Sequence, residues 1–338
     1  MERFSSCAIL YNPKSGFGRA KEIAGNLAGN LAGVVLYDVT ASDFDKSTAY
    51  QLGISDQLRI SVGGDETHVR LMQGLNGSYI LLPGGQQNVL PKVLGTSNVD
   101  TVLRGLRNNS LDGDFVPIRY VRLPDGSLAV WYVEFSALTT LGQALLTRME
   151  IIRTAMNSLS AFPSLRRVLS ATARGLSALL SAGDFLSNNY DYYDPNDLLL
   201  EILLSSENVL RVLGGIVLLP PFFAYGRAMY KGIPDIDPNY PVLIAHLPSE
   251  RMMASRVGFI LHLLAHIIDT GFSQLNRRET PFGTIGYFPL DNNGISVDSN
   301  GRQIRYSKDS IPGSQNIIFK QWAIKPNQSS ARVFRASR

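Results

Sequence analysis

The sequence predicts a two-unit chain: a parallel α/β unit, then an antiparallel β-sandwich with helical insertions. Two observations carry this. Up to Arg107, short apolar runs alternate with helical patterns, as in β/α units whose sheet is covered on both faces. After Leu111 the alternation gives way to paired strand patterns joined by turn residues. The break at 108–112 puts 1–110 in the first unit and 111–311 in the second, with about 312–330 able to rejoin the first.

Element by element, "SCAILYN" reads as a buried strand, "GRAKEIAGNLAGNL" as a helix and "GVVLYDVT" as a second strand. "SDFDKSTAYQLG" reads as a helix, "LRISVGGD" as a third strand, "THVRLMQGLNG" as a helix and "YILLPGG" as a fourth strand. Helices follow around "NVLPKVLG" and "VDTVLRGLR". In the second half, "FVPIRYVRLPDGSLAVWYVEF" reads as two strands joined by a Pro-Asp-Gly turn. Further strands fall in "LLLEILLSSENVLRVLGGIVLLPPFFAYG" and "GTIGYFPL…GISVDSNGRQIRYS". Between Leu141 and Gly183 a helical stretch carries Arg148, Arg153, Arg166, Arg167 and Arg174 against one acid, Glu150. Such a basic amphipathic pattern suits an anionic membrane surface or a lid over acyl chains; the plain alternative is an insertion with solvated arginines.

The 338 residues, 45% hydrophobic and 18% charged, suffice for two globular units. A single thiol, Cys7, excludes an internal disulfide and a multi-thiolate zinc site, and fits a reducing cytoplasm. No signal-like segment precedes the first strand, and no apolar run reaches the roughly 20 residues of a spanning helix, so any membrane contact is expected to be peripheral. The net charge of +4 suits phosphates or anionic lipid, while no Lys/Arg run is dense enough to expect nucleic acid. Unpaired edge strands of a sandwich are compatible with a homodimer.

Three loops fall where parallel strands end, the usual place for a ligand crevice in an open sheet. In "YNPKSGFGRA", Asn12 and Pro13 end the strand, and Ser15, Gly16 and Gly18 turn into a helix whose free amides suit an anion, with Lys14 and Arg19 adding charge. In "SVGGDETHVR", Gly63 and Gly64 allow close approach of a ligand, and Asp65 offers a carboxylate for magnesium or for polarising a hydroxyl. Equally, Asp65 and Thr67 suit a helix N-cap. In "LLPGGQQNVLPKVLG", Pro83, Gly84, Gly85 and Asn88 precede a helix, or simply form a turn.

In order and spacing these loops resemble the diacylglycerol, sphingosine and ceramide kinase family, whose motifs run Asn-Pro-x-Ser-Gly, Gly-Gly-Asp-Gly-Thr and Pro-x-Gly-Thr-x-Asn-Asp. "GGIVLLPPFFAYG" resembles the family's glycine-rich strand, and "GISVDSNG" falls where it carries Asp-Gly-Glu. The resemblance implies ATP and Mg²⁺ in a cleft between an α/β domain and a β-sandwich, with a lipid hydroxyl attacking the γ-phosphate. It further implies an adenine contact at Thr40, nucleotide contacts at Asn12, Lys14, Ser15, Gly16, Gly18, Arg19, Gly63, Gly64, Thr67, Gly85 and Asn88, a metal or orienting role for Asp65, and catalysis shared with Asp298.

The departures fall at chemical positions. Glu66 replaces a glycine, Val69 and Arg70 replace Asn-Glu, Gln86 replaces a threonine and Val89 an aspartate. If the last motif lands on Asp298, Ser299 and Asn300, an amide stands where the family has its glutamate base. The sequence therefore also fits a non-catalytic relative that binds lipid or nucleotide. Gly-Gly-Asp-Glu is a diguanylate cyclase signature too, but there it caps a β-hairpin, whereas here parallel β/α elements surround it. NAD kinases share the second loop, although the first and third fit the lipid branch better. His262 and His266 lack the intervening glutamate of a zinc protease, and His68 has no visible partner.

Overall fold

A computed structural model describes residues 7–40, 58–74, 76–85, 88–137, 199–204, 208–222, 240–248, 250, 279–280, 283–291, 293–299, 303–307 and 317–337. The helix expected at 42–53, the basic stretch 141–183, Gln86, His262, His266 and Asn300 lie outside these residues.

The strands are β1 (Cys7–Tyr11), β2 (Val34–Asp38), β3 (Leu58–Gly63), β4 (Gly77–Pro83), β5 (Gly113–Arg122), β6 (Leu128–Ala129), β7 (Tyr132–Ala137), β8 (Leu200–Leu203) and β9 (Val209–Val212). They continue as β10 (Gly214–Leu218), β11 (Val242–Pro248), β12 (Glu279–Thr280), β13 (Gly283–Pro289), β14 (Ile295–Asp298), β15 (Ile304–Ser307), β16 (Ile317–Phe319), β17 (Gln321–Ile324) and β18 (Pro326–Ala336). The described α-helices are α1 (Arg19–Asn30), α2 (Asp65–Gly74), α3 (Val89–Val93) and α4 (Val99–Arg107). None of them is long and apolar enough to cross a membrane.

Three sheets form. The first runs β2-β1-β3-β4-β18-β5-β6, the second β12-β13-β11-β10-β7-β15-β16 and the third β17-β14-β8-β9. Strands β1 to β4 pair in parallel, with Cys7 beside Val34 on one side and Leu58 on the other. They are apolar on both faces because both faces are covered. Ile9, Ile60, Val62, Ile80 and Leu82 pack with α1 and α4. The alternate residues Ala8, Leu10, Tyr79 and Leu81 share a core with α2, α3 and residues of the second sheet, among them Tyr132, Ile216, Val242 and Ile244. The far face of the second sheet, through Val133, Phe135, Val217 and Leu243, packs on Leu200, Ile202, Val297 and Ile324 of the third. The second sheet is thus the middle layer.

The first sheet extends past residue 110. β5 and β6 form a hairpin within it, and Val130 and Trp131 then carry the chain across to β7 in the second sheet. The run "FVPIRY…WYVEF" therefore divides between two sheets. At the C-terminus three successive strands visit all three sheets. β16 joins the second, β17 the third, and β18 inserts in the first, parallel to β4 and antiparallel to β5.

Candidate active site

The three glycine loops meet at the carboxyl edge of the parallel strands, and their glycines are what let them touch. A Cβ added to Gly16 would lie 2.3 Å from the Gly84 carbonyl oxygen, and one added to Gly85 would lie 2.5 Å from Gly64 Cα. A Cβ on Gly84 would meet Ala20 Cβ at 2.7 Å and Gly63 N at 2.8 Å, while the Gly84 amide donates to Gly63 O at 2.8 Å. Gly16 adds a left-handed φ of 59°. A Gly16→Ala variant is expected to lose about 2–3 kcal/mol, limited by the loop's freedom to give way, as read by urea denaturation.

The first loop is tied to the second by its side chains. Asn12 Nδ2 donates to Thr67 Oγ1 at 3.3 Å, and the Asn12 amide donates to Val62 O. Asn12 also organises its own loop, its side-chain oxygen accepting from Lys14 N and its carbonyl from Ser15 N. Lys14 and Arg19 are exposed beside it. Thr40 follows β2, next to this loop, and both its amide and its hydroxyl donate to Asp38 Oδ1.

Asp65 occupies the first turn of α2, yet it caps a different helix. Its Oδ2 accepts from Val89 N at 3.1 Å and its Oδ1 from Leu90 N at 2.8 Å, at the start of α3. A carboxylate is well matched to amides at a helix N-terminus. Each oxygen keeps a second lone pair, so the group stays able to accept from, or coordinate, something in the crevice. Asn88, left-handed at φ 50°, closes the third loop on itself. Its Oδ1 accepts from Gly85 N and its Nδ2 donates to Gly85 O, both at 2.7 Å. The amides of Gly84, Gly85, Val89 and Leu90 are thus all engaged within the protein.

The other predicted positions scatter. Glu66 and Arg70 are exposed. Val69 is buried, and Val89 packs against the same core that joins the first two sheets. Asp298 does not join the loops. It lies on the outer face of the third sheet, paired across to Glu201 and Gln321, with the middle sheet between it and the first.

His68 has a partner the sequence does not reveal, because the contact is made under the sheet: its Nδ1 lies 2.7 Å from Ser61 Oγ of β3. Burial lowers its pKa from the ordinary 6.5 to about 3, with a hydrogen bond to the Leu82 backbone working the other way, so it is a neutral core residue. Between these values the unfolded chain binds a proton that the folded chain refuses. The stability is therefore full above pH 6.5 and lost as pH falls toward 3, by about 2 kcal/mol at pH 5. His68→Gln should flatten this part of the pH dependence in denaturant titrations at about pH 7.5 and 5.

No family model and no curated protein matches the chain. Solved structures do match along its whole length. A diacylglycerol kinase from Bacillus anthracis strain Sterne superimposes with a TM-score of 0.55 at 11% identity, over 99% of this chain and 98% of that one. A provisionally assigned diacylglycerol kinase from the same strain gives 0.56 at 11%, over 100% and 99%. An NAD kinase from Archaeoglobus fulgidus in complex with ATP gives 0.45 at 13%, over 98% and 93%, too loose a match to carry an argument. The chain has the kinase fold of the first two, a parallel-rich mixed sheet with helices joined to antiparallel sheets.

Proposed function

We propose that the chain is an ATP- and Mg²⁺-dependent lipid kinase acting on a hydroxyl of ceramide, a sphingoid base or diacylglycerol. The observation that carries this is the meeting of three glycine loops at the carboxyl edge of the parallel strands, held at distances where an added Cβ would collide. Mg-ATP would supply the transferable phosphoryl group. Lys14 and Arg19 would neutralise its charge, and the turn at Ser15–Gly18 and the Gly63–Gly64 step would give the phosphates close backbone approach. Asp65, oriented by the Val89 and Leu90 amides, would hold the metal or orient the acceptor hydroxyl. One carboxylate together with phosphate oxygens and waters is a donor set that suits magnesium. A lipid acceptor places the work at a membrane surface, peripherally.

A second reading, a non-catalytic relative that binds nucleotide or lipid, is favoured by the apolar packing of Val69 and Val89 where the resembled motifs carry polar groups. The discriminating experiment follows labelled phosphate from ATP across a panel of those lipids. Transfer to one of them is expected, and transfer to none removes the kinase. A thermal-shift titration with Mg-ATP then tells binder from non-binder.

A further inference from the structure

A recess of about 590 Å³ lies at the other edge of the first sheet, away from the glycine loops. Cys7, Val34 and Leu58, the opening residues of β1, β2 and β3, stand side by side along it. The glycine loops follow the opposite ends of β1, β3 and β4, and none of their residues lines the recess. Leu58 and Phe334 are buried at its floor, while Leu31, Leu106 and Phe115 line it half-buried. The volume falls within the range of small-molecule sites, where apolar walls hold a ligand's body and a few polar groups orient it. Arg332 is fixed in two ways. Its Nη2 donates to Phe115 O at 3.2 Å, and its guanidinium lies 5.8 Å from the Phe115 ring centroid. Phe334 packs on the same ring, with centroids 5.4 Å apart. Arg107 adds a second cation at the exposed rim. Asp114 is the one acid among the described lining residues, and it stands opposite Arg335 in the β5–β18 ladder. Burial pushes the Cys7 thiol up to about 12, so it adds no thiolate. The dipoles of α1 and α4, which end here, would oppose an anion, but carbonyls at both ends are already engaged. Leu27 O accepts from Leu31 N, and Gly105 O and Leu106 O accept from Ser110 N and Asn109 N. The lining is therefore cationic beside apolar walls.

We infer that this recess binds a small organic anion with an apolar body, an aryl or short-chain carboxylate or sulfonate. Its acid group would meet Arg332 and Arg107, and its body would lie against Phe115, Leu31 and Leu106. Such a site depends on neither the nucleotide nor the lipid of the kinase reading.

The probe is anilinonaphthalene sulfonate, added to the full-length chain and followed by its fluorescence. Saturable binding of one molecule per chain is expected, with a rise in melting temperature. Phenylnaphthylamine, which keeps the rings and lacks the sulfonate, should bind about tenfold more weakly, and Arg332→Gln should weaken the sulfonate by about the same factor. Ala32→Trp sets an indole at the exposed rim and should block the probe while melting near the parent temperature. Absence of saturable binding, equal binding of the two dyes, or parent-like binding by Ala32→Trp and Arg332→Gln overturns the proposal. Displacement of the probe by Mg-ATP also overturns it, because the dye would then occupy the glycine crevice. Failure of the lipid-phosphorylation assay leaves these readouts untouched, so the two readings fail separately.

Discussion

Asp65→Ala should produce two losses that can be read independently. Its carboxylate accepts from the amides at the start of α3, so its removal leaves two donors short of partners and should lower stability by about 1–2 kcal/mol, seen as a lower melting temperature. If the same group also holds the metal or orients the hydroxyl, phosphate transfer to lipid should fall by about 10²–10³, measured well below the melting temperature. Asp65→Asn separates the effects further. An amide can still accept from one of the two N–H groups, but its own NH₂ then faces the other, so part of the cap survives while the anion is gone. Transfer in Asp65→Asn close to that of the parent would reduce Asp65 to a structural cap. With it would go the assignment of the crevice as a catalytic centre, although nucleotide binding could persist.

The first four strands and the loops behind them were legible because their signals are local. "LRISVG" is a short, largely apolar run closed by glycines, and its neighbour "YILLPGG" is built alike. Runs of this kind bounded by helices mean parallel strands wherever they occur. The closing strand β18 was not legible in this way. "PNQSSARVFRA" is largely polar and broken by a register shift between Gln328 and Arg332, and its place beside β4 is set by a pairing from Ala331 to Gly77. Nor does the sequence tell which turn residues touch each other. Gly85 lies against Gly64, and the Asn88 side chain closes its own turn. The side on which Asp298 lies was not legible for a related reason. Its motif position is read along the chain, while its side is fixed by the alternation of β14, where Ile295 and Val297 take the core and Asp298 takes the outer face.

Gly77→Ala should be among the most damaging single changes in the first sheet, and the reason is a buried charge. Arg59 is fully buried in β3, and its Nε, Nη1 and Nη2 have no hydrogen-bond partner among the described residues. Its guanidinium lies 5.6 Å from the Tyr79 ring centroid on the next strand, and burial lowers its pKa below the ordinary value. It rests on Gly77, where an added Cβ would lie 1.7 Å from Nη1, and where φ of +123° is itself hostile to a side chain. Strain and overpacking together should cost about 3–5 kcal/mol in urea denaturation. The charge can be removed instead. Arg59→Met gives up a cation–π contact but also a desolvated ion with no hydrogen-bonded counterion among the described residues, and should match the parent or exceed it by about 1–3 kcal/mol. In the double variant only the strain at Gly77 remains, so Gly77→Ala should be about 1–3 kcal/mol milder when combined with Arg59→Met than on the parent. An equal cost on both backgrounds would mean that the guanidinium is not what the glycine makes room for, and that β4 begins with a glycine for its backbone alone.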